Sequence, residues 1–413
     1  MFTTETLFPP ETVPTHHWSP WDLGQGIEEL RRRHEDDPRV LHRTLSALVD
    51  DLSDLHTELY PEDADGRPSA LERHALPPRR SLQLNSAPVT PALNIGGWFD
   101  LFIDGTLESF VDQRARGVPS KLLVGPWTHV NQSPHVGDVS FGVAADMYRL
   151  GLATDIWELQ RDWFRSHLPE AGDRREPDDR SVFLDAPVML FIMGDNVWRA
   201  EHEWPLARAT SMTLHVAAGG SLTAAAPSVG EEHFIHDPSR PVPTLGGATL
   251  MDAYAAGPLR QNRIEERPDV LTYTTEVLDE DVEVTGHPSV VLDARSDASS
   301  ADWIVRLCDV DGQGNSVLVT DGIVRAPGAP AQHEIELLPT AWVFKAGHRI
   351  RLQVSSSSFP RWLPNRGGSD GSDAGGPGAD GPEPAAHARF IHRVAFGASR
   401  VTLPVIPRPA REP

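Results

Sequence analysis

"GGWFDLFIDG", residues 96–105, closes a short apolar run and opens a helical one. Just upstream, "VTPALNIGG" has the length and composition of a strand that ends in Gly-Gly. Downstream, "LFIDGTLESFVDQRARG" has helical spacing and stops at Gly117, a residue type that ends helices. "PSKLLVGPW" then reads as a second apolar strand. Strand, helix and strand at this spacing make a βαβ unit, which sets two parallel strands into a covered sheet. Asp100 stands where the first strand ends. His129, in "LLVGPWTHV" (residues 122–130), stands where the second ends.

That placement has chemical content. In open α/β sheets, ligands gather at the carboxyl ends of the strands. An imidazole there, oriented by a carboxylate on one ring nitrogen, is the general base of a Ser-His-Asp site. The α/β hydrolases run Ser, then acid, then His along the chain, and Asp100 before His129 fits the last two. Each residue also has a plainer reading. Asp100 could cap the helix that follows it, and His129 could be an ordinary loop histidine.

Outward from this unit the grammar changes twice. Residues 1–20 are rich in Pro and Thr and read as irregular. Beyond them, Leu41, Leu45, Leu48, Leu52 and Leu55 recur at helical steps, after a first helix carrying Ile27, Leu30 and His34. "EDADGRPSALERHALPPRR" reads as a polar linker. After His129, "ADMYRLGLATDIWELQRDWFRSHL" (145–168) reads as one long amphipathic helix. From residue 186 onward, short strands and turns dominate, as in an antiparallel sandwich or jelly roll. Within that region, residues 365–388 are rich in Gly, Asp and Pro and are expected to form a mobile loop.

Composition narrows the function. The 413 residues carry 59 acidic and 37 basic side chains, a net charge of −22. All the basic residues but Lys121 and Lys345 are Arg. No basic patch suits a nucleic acid, so none is expected as a partner. No apolar run approaches a membrane span, and the first residues lack the pattern of a signal peptide, so a cytoplasmic location is expected. The lone Cys308 cannot form an intrachain disulfide and reads as a small buried hydrophobe. "DVDGQGNSVLVT" (309–320) puts Gln313 and Thr320 where a calcium loop needs acids, so a hairpin turn is expected. His233 and His236 of "HFIH" read as a surface pair, with no further ligands near for zinc. No metal or other cofactor is expected.

The motifs resemble a known family. "GGWFD", "LLVGPWTH" and "GDVSFG" (137–142) follow one another as in the CocE/NonD α/β hydrolases. The likeness continues through "VMLFIMGDNVWRAEHEWP", "VTDGIVRA" and "GHRIRLQVSSSSFPRW", over roughly residues 87–407. This family includes cocaine esterase, cephalosporin acylases and X-Pro dipeptidyl peptidases. The resemblance implies an α/β-hydrolase domain, a helical cap and a C-terminal jelly roll. The fold class is therefore α/β plus all-β. Residues 1–85 would be a remnant of the cap, 86–172 the C-terminal part of the hydrolase domain, and 186–413 the jelly roll. Asp100 would be the triad acid and His129 the base. Trp98, Phe99 and Trp127 resemble rings near the family's acyl pocket, although core packing explains them as well.

The family's serine sits on a G-x-S-x-G elbow ahead of the acid. The serines before Asp100 are Ser19, Ser46, Ser53, Ser69, Ser81 and Ser86, and none has the flanking glycines. The formal match "GGSDG" at Ser369 follows the His, in a low-complexity stretch, and lacks the strand–turn–helix context the elbow needs. Two functions follow as expectations. One is a serine hydrolase of small esters, amides or short X-Pro peptides. Its nucleophile is absent from this chain and would be supplied by a separate chain, so this chain alone would be inactive. The other is a non-catalytic binding or structural protein that uses the jelly roll.

Overall fold

A computed structural model of the chain describes residues 90–168, 185–225, 229–249, 256–368 and 388–408. The Leu-striped helices, the cap assignment, Ser369 and most of the 365–388 stretch lie outside the described residues.

The βαβ unit forms. Strand β1 (Ala92–Phe99), helix α1 (Ile103–Ala115) and strand β2 (Ser120–Thr128) follow in order. β1 and β2 pair in parallel, Ala92 opposite Ser120. α1 buries Ile103, Leu107 and Phe110, one stripe at helical spacing. It ends where Gly117 turns left-handed, at φ 71°. A short hairpin, β3 (His135–Val136) and β4 (Val139–Ser140), follows the His129 loop.

The helix expected over 145–168 is shorter. α2 runs Ile156–His167. Gly151 and Leu152 both sit at positive φ, which breaks any helix begun at Ala145. Asp155 then opens α2 by accepting the Glu158 amide on its side chain.

β5 (Val188–Ile192) and β6 (Val197–Glu201) were expected to begin the jelly roll. Instead they complete the first sheet, in the order β1-β2-β5-β6. β5 is parallel to β2, with Leu122 opposite Val188, and β6 returns antiparallel to β5. The physical reason is burial on both faces. "VMLFI" is apolar without alternation, as parallel strands covered on both sides are.

The jelly roll follows. Its first half contains β7 (Thr210–Ala217), β8 (Ser221–Thr223), β9 (Glu231–His236), the short helix α3 (Asn262–Glu265), β10 (Leu271–Thr274), β11 (Val282–Gly286) and β12 (Ser289–Ser296). Its second half contains β13 (Ser300–Val310), β14 (Ser316–Pro327), β15 (Ala331–Glu336), β16 (Thr340–Phe344), β17 (Arg349–Ser355), β18 (Phe390–Ala395) and β19 (Arg400–Ile406). These strands bond into one folded sheet, with β14-β13-β17-β10 at one end and β12-β18-β9 at the other. The 309–320 segment is the β13–β14 hairpin turn and its flanks, as its acid pattern implied. Cys308 is fully buried, and burial pushes its thiol well above the ordinary value.

Two features join the parts. The chain beyond β5 pairs with β16: the Met193 amide donates to the Ala341 carbonyl, and the Val343 amide donates back to Met193. Charge then locks the seam. Arg199 of β6 donates two bonds to Glu283 of β11, at 2.7 and 2.9 Å, and a third to Glu201. Glu201 also takes both terminal nitrogens of Arg208. Burial opposes ionisation of Glu201, but the bonds from Arg208 and Arg199 outweigh it and hold the carboxyl below its ordinary value.

His236 departs from the surface-pair expectation. His233 is exposed, but His236 is buried in a ring stack. His236 lies 5.4 Å from His392, and His392 lies 5.0 Å from Trp303. The cause is the strand itself: residues three apart face opposite sides of β9, so His236 shares the inner face with Phe234.

Candidate active site

Asp100 and His129 meet. His129 Nδ1 lies 3.2 Å from Asp100 Oδ2. The Asp100 side chain is 15% exposed and that of His129 42%. A carboxylate can only accept, so the proton between them belongs to Nδ1. Nε2 is then the ring nitrogen left to take a proton from another group.

Both loops are built for this. Asp100 does not cap the helix, whose N-cap is Phe102; it closes the turn just before it, where Oδ1 accepts the Phe102 amide at 2.9 Å. One carboxylate oxygen thus fixes the backbone while the other faces the imidazole. On the His side, Gln132 Nε2 donates to the His129 carbonyl at 2.8 Å, and the Asn131 amide donates to Thr128 Oγ1.

The strand ends are not in simple register. Gly97 pairs with Gly125 and Phe99 pairs with Thr128, so β2 carries one extra residue, a bulge. Gly97 and Gly125 make room for it. A Cβ on Gly97 would lie 2.3 Å from the Trp127 carbonyl oxygen, and one on Gly125 would strike the Trp127 ring. Gly97→Ala is therefore expected to destabilise the chain by about 1–3 kcal/mol, as overpacking does. A lowered denaturant midpoint with a perturbed His129 ring resonance would show it. An unchanged midpoint would remove the close approach from the account.

The three aromatics named from the sequence are buried, each about 2% exposed. Trp98 Nε1 donates to the Phe191 carbonyl at 2.8 Å, and its ring lies 5.8 Å from Trp204. Trp127 Nε1 donates to the Ala145 carbonyl at 2.7 Å, and its ring meets Trp198 edge-on. Phe99 lies in the same core cluster as Trp98. The aromatic beside the pair is Phe102, half exposed, its ring 5.2 Å from His129 and edge-on to it. The sequence signal for Phe102 was its place two residues after the acid.

Among the described residues β1 pairs only with β2. Nearby, α2 turns Trp157, Phe164 and Leu168 outward, all more than half exposed. Their seven- and four-residue steps put them on one face.

A partial α/β-hydrolase sheet with an Asp–His pair at its strand ends, joined to a jelly roll, defines a hydrolase-type architecture. Residues 182–401, more than half the chain, match the X-Pro dipeptidyl-peptidase C-terminal non-catalytic domain. Residues 5–131, ending just past His129, match the X-Pro dipeptidyl-peptidase (S15) family. The chain belongs to the CocE/NonD family of hydrolases. It is 35% identical to a cocaine esterase of Rhodococcus sp. (strain MB1 Bresler) over 345 residues. That match covers 77% of this chain and 57% of the esterase. The fold is similar to an alpha-amino acid ester hydrolase, with a TM-score of 0.65 at 23% identity, covering 92% of this chain and 62% of that one. It is also similar to an aminopeptidase from a marine sediment archaeon, Thaumarchaeota archaeon. There the TM-score is 0.63 at 22% identity, covering 77% and 55%. Among the described residues no helix is long and apolar enough to cross a membrane.

Proposed function

We propose that this chain supplies the acid and base of a Ser-His-Asp acyl hydrolase. The 3.2 Å contact between His129 Nδ1 and Asp100 Oδ2, at the ends of parallel strands, carries the reading. His129 would accept the serine proton on Nε2 and pass it to the leaving group. Asp100 would hold the tautomer and stabilise the imidazolium. The acyl-enzyme would then be released by water activated by the same His. The substrate class is a small ester or amide, or a short peptide, and Phe102 would form an apolar wall beside the base. The lone buried thiol suits a reducing cytoplasm.

The serine would lie outside these 413 residues, on a segment that packs beside β1 and covers the outward face of α2. It resides on a longer form of this polypeptide or on a separate one. A fluorophosphonate probe, which labels activated serines, tests this. The chain alone should remain unlabelled. Mixed or fused with a nucleophile-bearing hydrolase half, it should support labelling that disappears in His129→Ala. Strong labelling of the isolated chain would overturn the reading, as would labelling of the complete pair that ignores His129. Co-purification of a second polypeptide would show which source supplies the serine.

A further inference from the structure

His129 stands one residue beyond the end of β2, and the pairing with β1 stops at Thr128. Packing does not hold it either, since His129 and Val130 are both exposed. The ring beside it, Phe102, is itself half exposed. Asp100 reaches only the imidazole. Another group has to fix the backbone from which that imidazole hangs.

Gln132 is placed to do so. Its Nε2 donates to the His129 carbonyl at 2.8 Å and to the Thr128 carbonyl at 3.2 Å. Both partners are acceptors, so the amide has to face them with its NH₂ group, one proton for each. The Thr128 carbonyl belongs to the peptide plane before the His129 Cα. The His129 carbonyl belongs to the plane after it. Holding both planes sets the two soft backbone dihedrals of His129, and with them the direction of its Cα–Cβ bond. The Asp100 contact then sets the ring on that bond, so Nε2 is located from both ends.

Gln132 is itself anchored. Its own carbonyl accepts the Met147 amide at 3.1 Å. Asn131, just before it, closes the turn back onto Thr128: its amide donates to Thr128 Oγ1 at 2.9 Å, and its carbonyl accepts the Thr128 amide at 3.1 Å. The residue type also fits. A neutral amide supplies two donors to two carbonyls. A Lys or Arg would add a positive charge to the loop of a base that must itself become positive. A Glu would meet the two carbonyls with acceptors.

We propose that Gln132 is a positioning residue for the base, fixing the His129 backbone so that Nε2 points at the serine hydroxyl. The role rests on the hydrolase reading above. Gln132 touches neither the substrate nor the transferred proton and acts only through His129.

Two variants test it. Gln132→Glu keeps the shape but turns both donors into acceptors, and Gln132→Met keeps the length and removes them. Long-range ¹H–¹⁵N correlation spectra of the 413-residue chain, with the ring neutral, read which nitrogen carries the proton. The His129 signals are those lost in His129→Ala. The tautomer is set by the bond that holds it, so the parent should be protonated on Nδ1, and both variants should mix the two tautomers. With a nucleophile-bearing half restored, kcat toward an activated ester should fall by about 10- to 100-fold in each variant, with KM changed less than about twofold. Denaturant midpoints check folding, and Gln132→Met carries the test if Gln132→Glu does not fold. A parent ring protonated on Nε2 would remove the Asp100–His129 reading and the role of Gln132 with it. A parent ring protonated on Nδ1, with the same proportion in the folded variants, would make Gln132 a brace for the turn and overturn the proposal alone, whatever the midpoints do. A kcat within about twofold of the parent would overturn it as well.

Discussion

With a nucleophile-bearing segment restored, His129→Ala is expected to lower kcat toward an activated ester by about 10⁴- to 10⁶-fold, with KM little changed. Nε2 of His129 is the proton acceptor left once Nδ1 is tied to Asp100, and a methyl group replaces it with nothing. Asp100→Asn is the sharper variant, with an expected loss of about 10⁴-fold. Its amide oxygen can still accept the Phe102 N–H, so the loop keeps its shape. Its NH₂ group must then turn toward His129. Nδ1 has to accept that bond, and the ring proton moves to Nε2, the nitrogen that needs to be free. The two variants therefore fail for different reasons, a missing base and a wrong tautomer. Steady-state kinetics of both, within tenfold of the parent, would remove Asp100 and His129 from the chemistry.

Acid is expected to loosen the jelly roll well before its carboxylates titrate. His392 is buried against Trp303 and His236, and its Nε2 contacts Ser356 Oγ at 2.8 Å. Burial, helped by the neighbouring His236, lowers His392 from the ordinary value of 6.5 to about 3. Burial also holds His236 below its ordinary value, outweighing the Asn365 carbonyl that accepts from it. The unfolded chain thus binds these protons more readily than the folded one. The stabilisation is complete above about pH 6.5 and is lost as pH falls from there toward about 3. For His392 alone, the step from pH 7 to pH 5 amounts to roughly 2 kcal/mol at about 1.4 kcal/mol per unit below 6.5. His236 adds to it in the same direction. Denaturant melts across that range would measure the slope. His392→Gln, which keeps a polar group near Ser356, should flatten it. An equal slope in that variant would place the acid sensitivity elsewhere.

The sequence made some of this legible. The βαβ unit and the two strand-end residues could be read because apolar runs, Gly-Gly and a closing Gly117 mark element ends locally. The bulge in β2 could not, because it depends on how Gly97 and Gly125 meet across the sheet. The start of α2 was misread because Leu150 continues the apolar rhythm backward, although Asp155 carried the capping signal. β5 was drawn into the jelly roll by the strands that follow it. Its unbroken apolar run was the sign that it belonged to a sheet covered on both faces. His236 was missed for want of a two-residue count: His233 out and Phe234 in place His236 inside. Phe102 had no composition signal at all, only its position after Asp100. Side-chain pairings across the seam, such as Arg199 with Glu283, join residues 84 apart and are invisible to local patterning.

One apolar cluster runs unbroken from Trp98, Phe110 and Leu190 into Leu292, Trp303 and Phe344. Heat or denaturant therefore meets a single cooperative body across the two architectures. A truncated jelly roll prepared without β1, β5 and β6 would leave one wall of that interior wet, and the shared oil would make it sticky rather than independent. The strand-end carboxylate and imidazole owe their rigidity as much to the sandwich behind them as to the sheet that bears them.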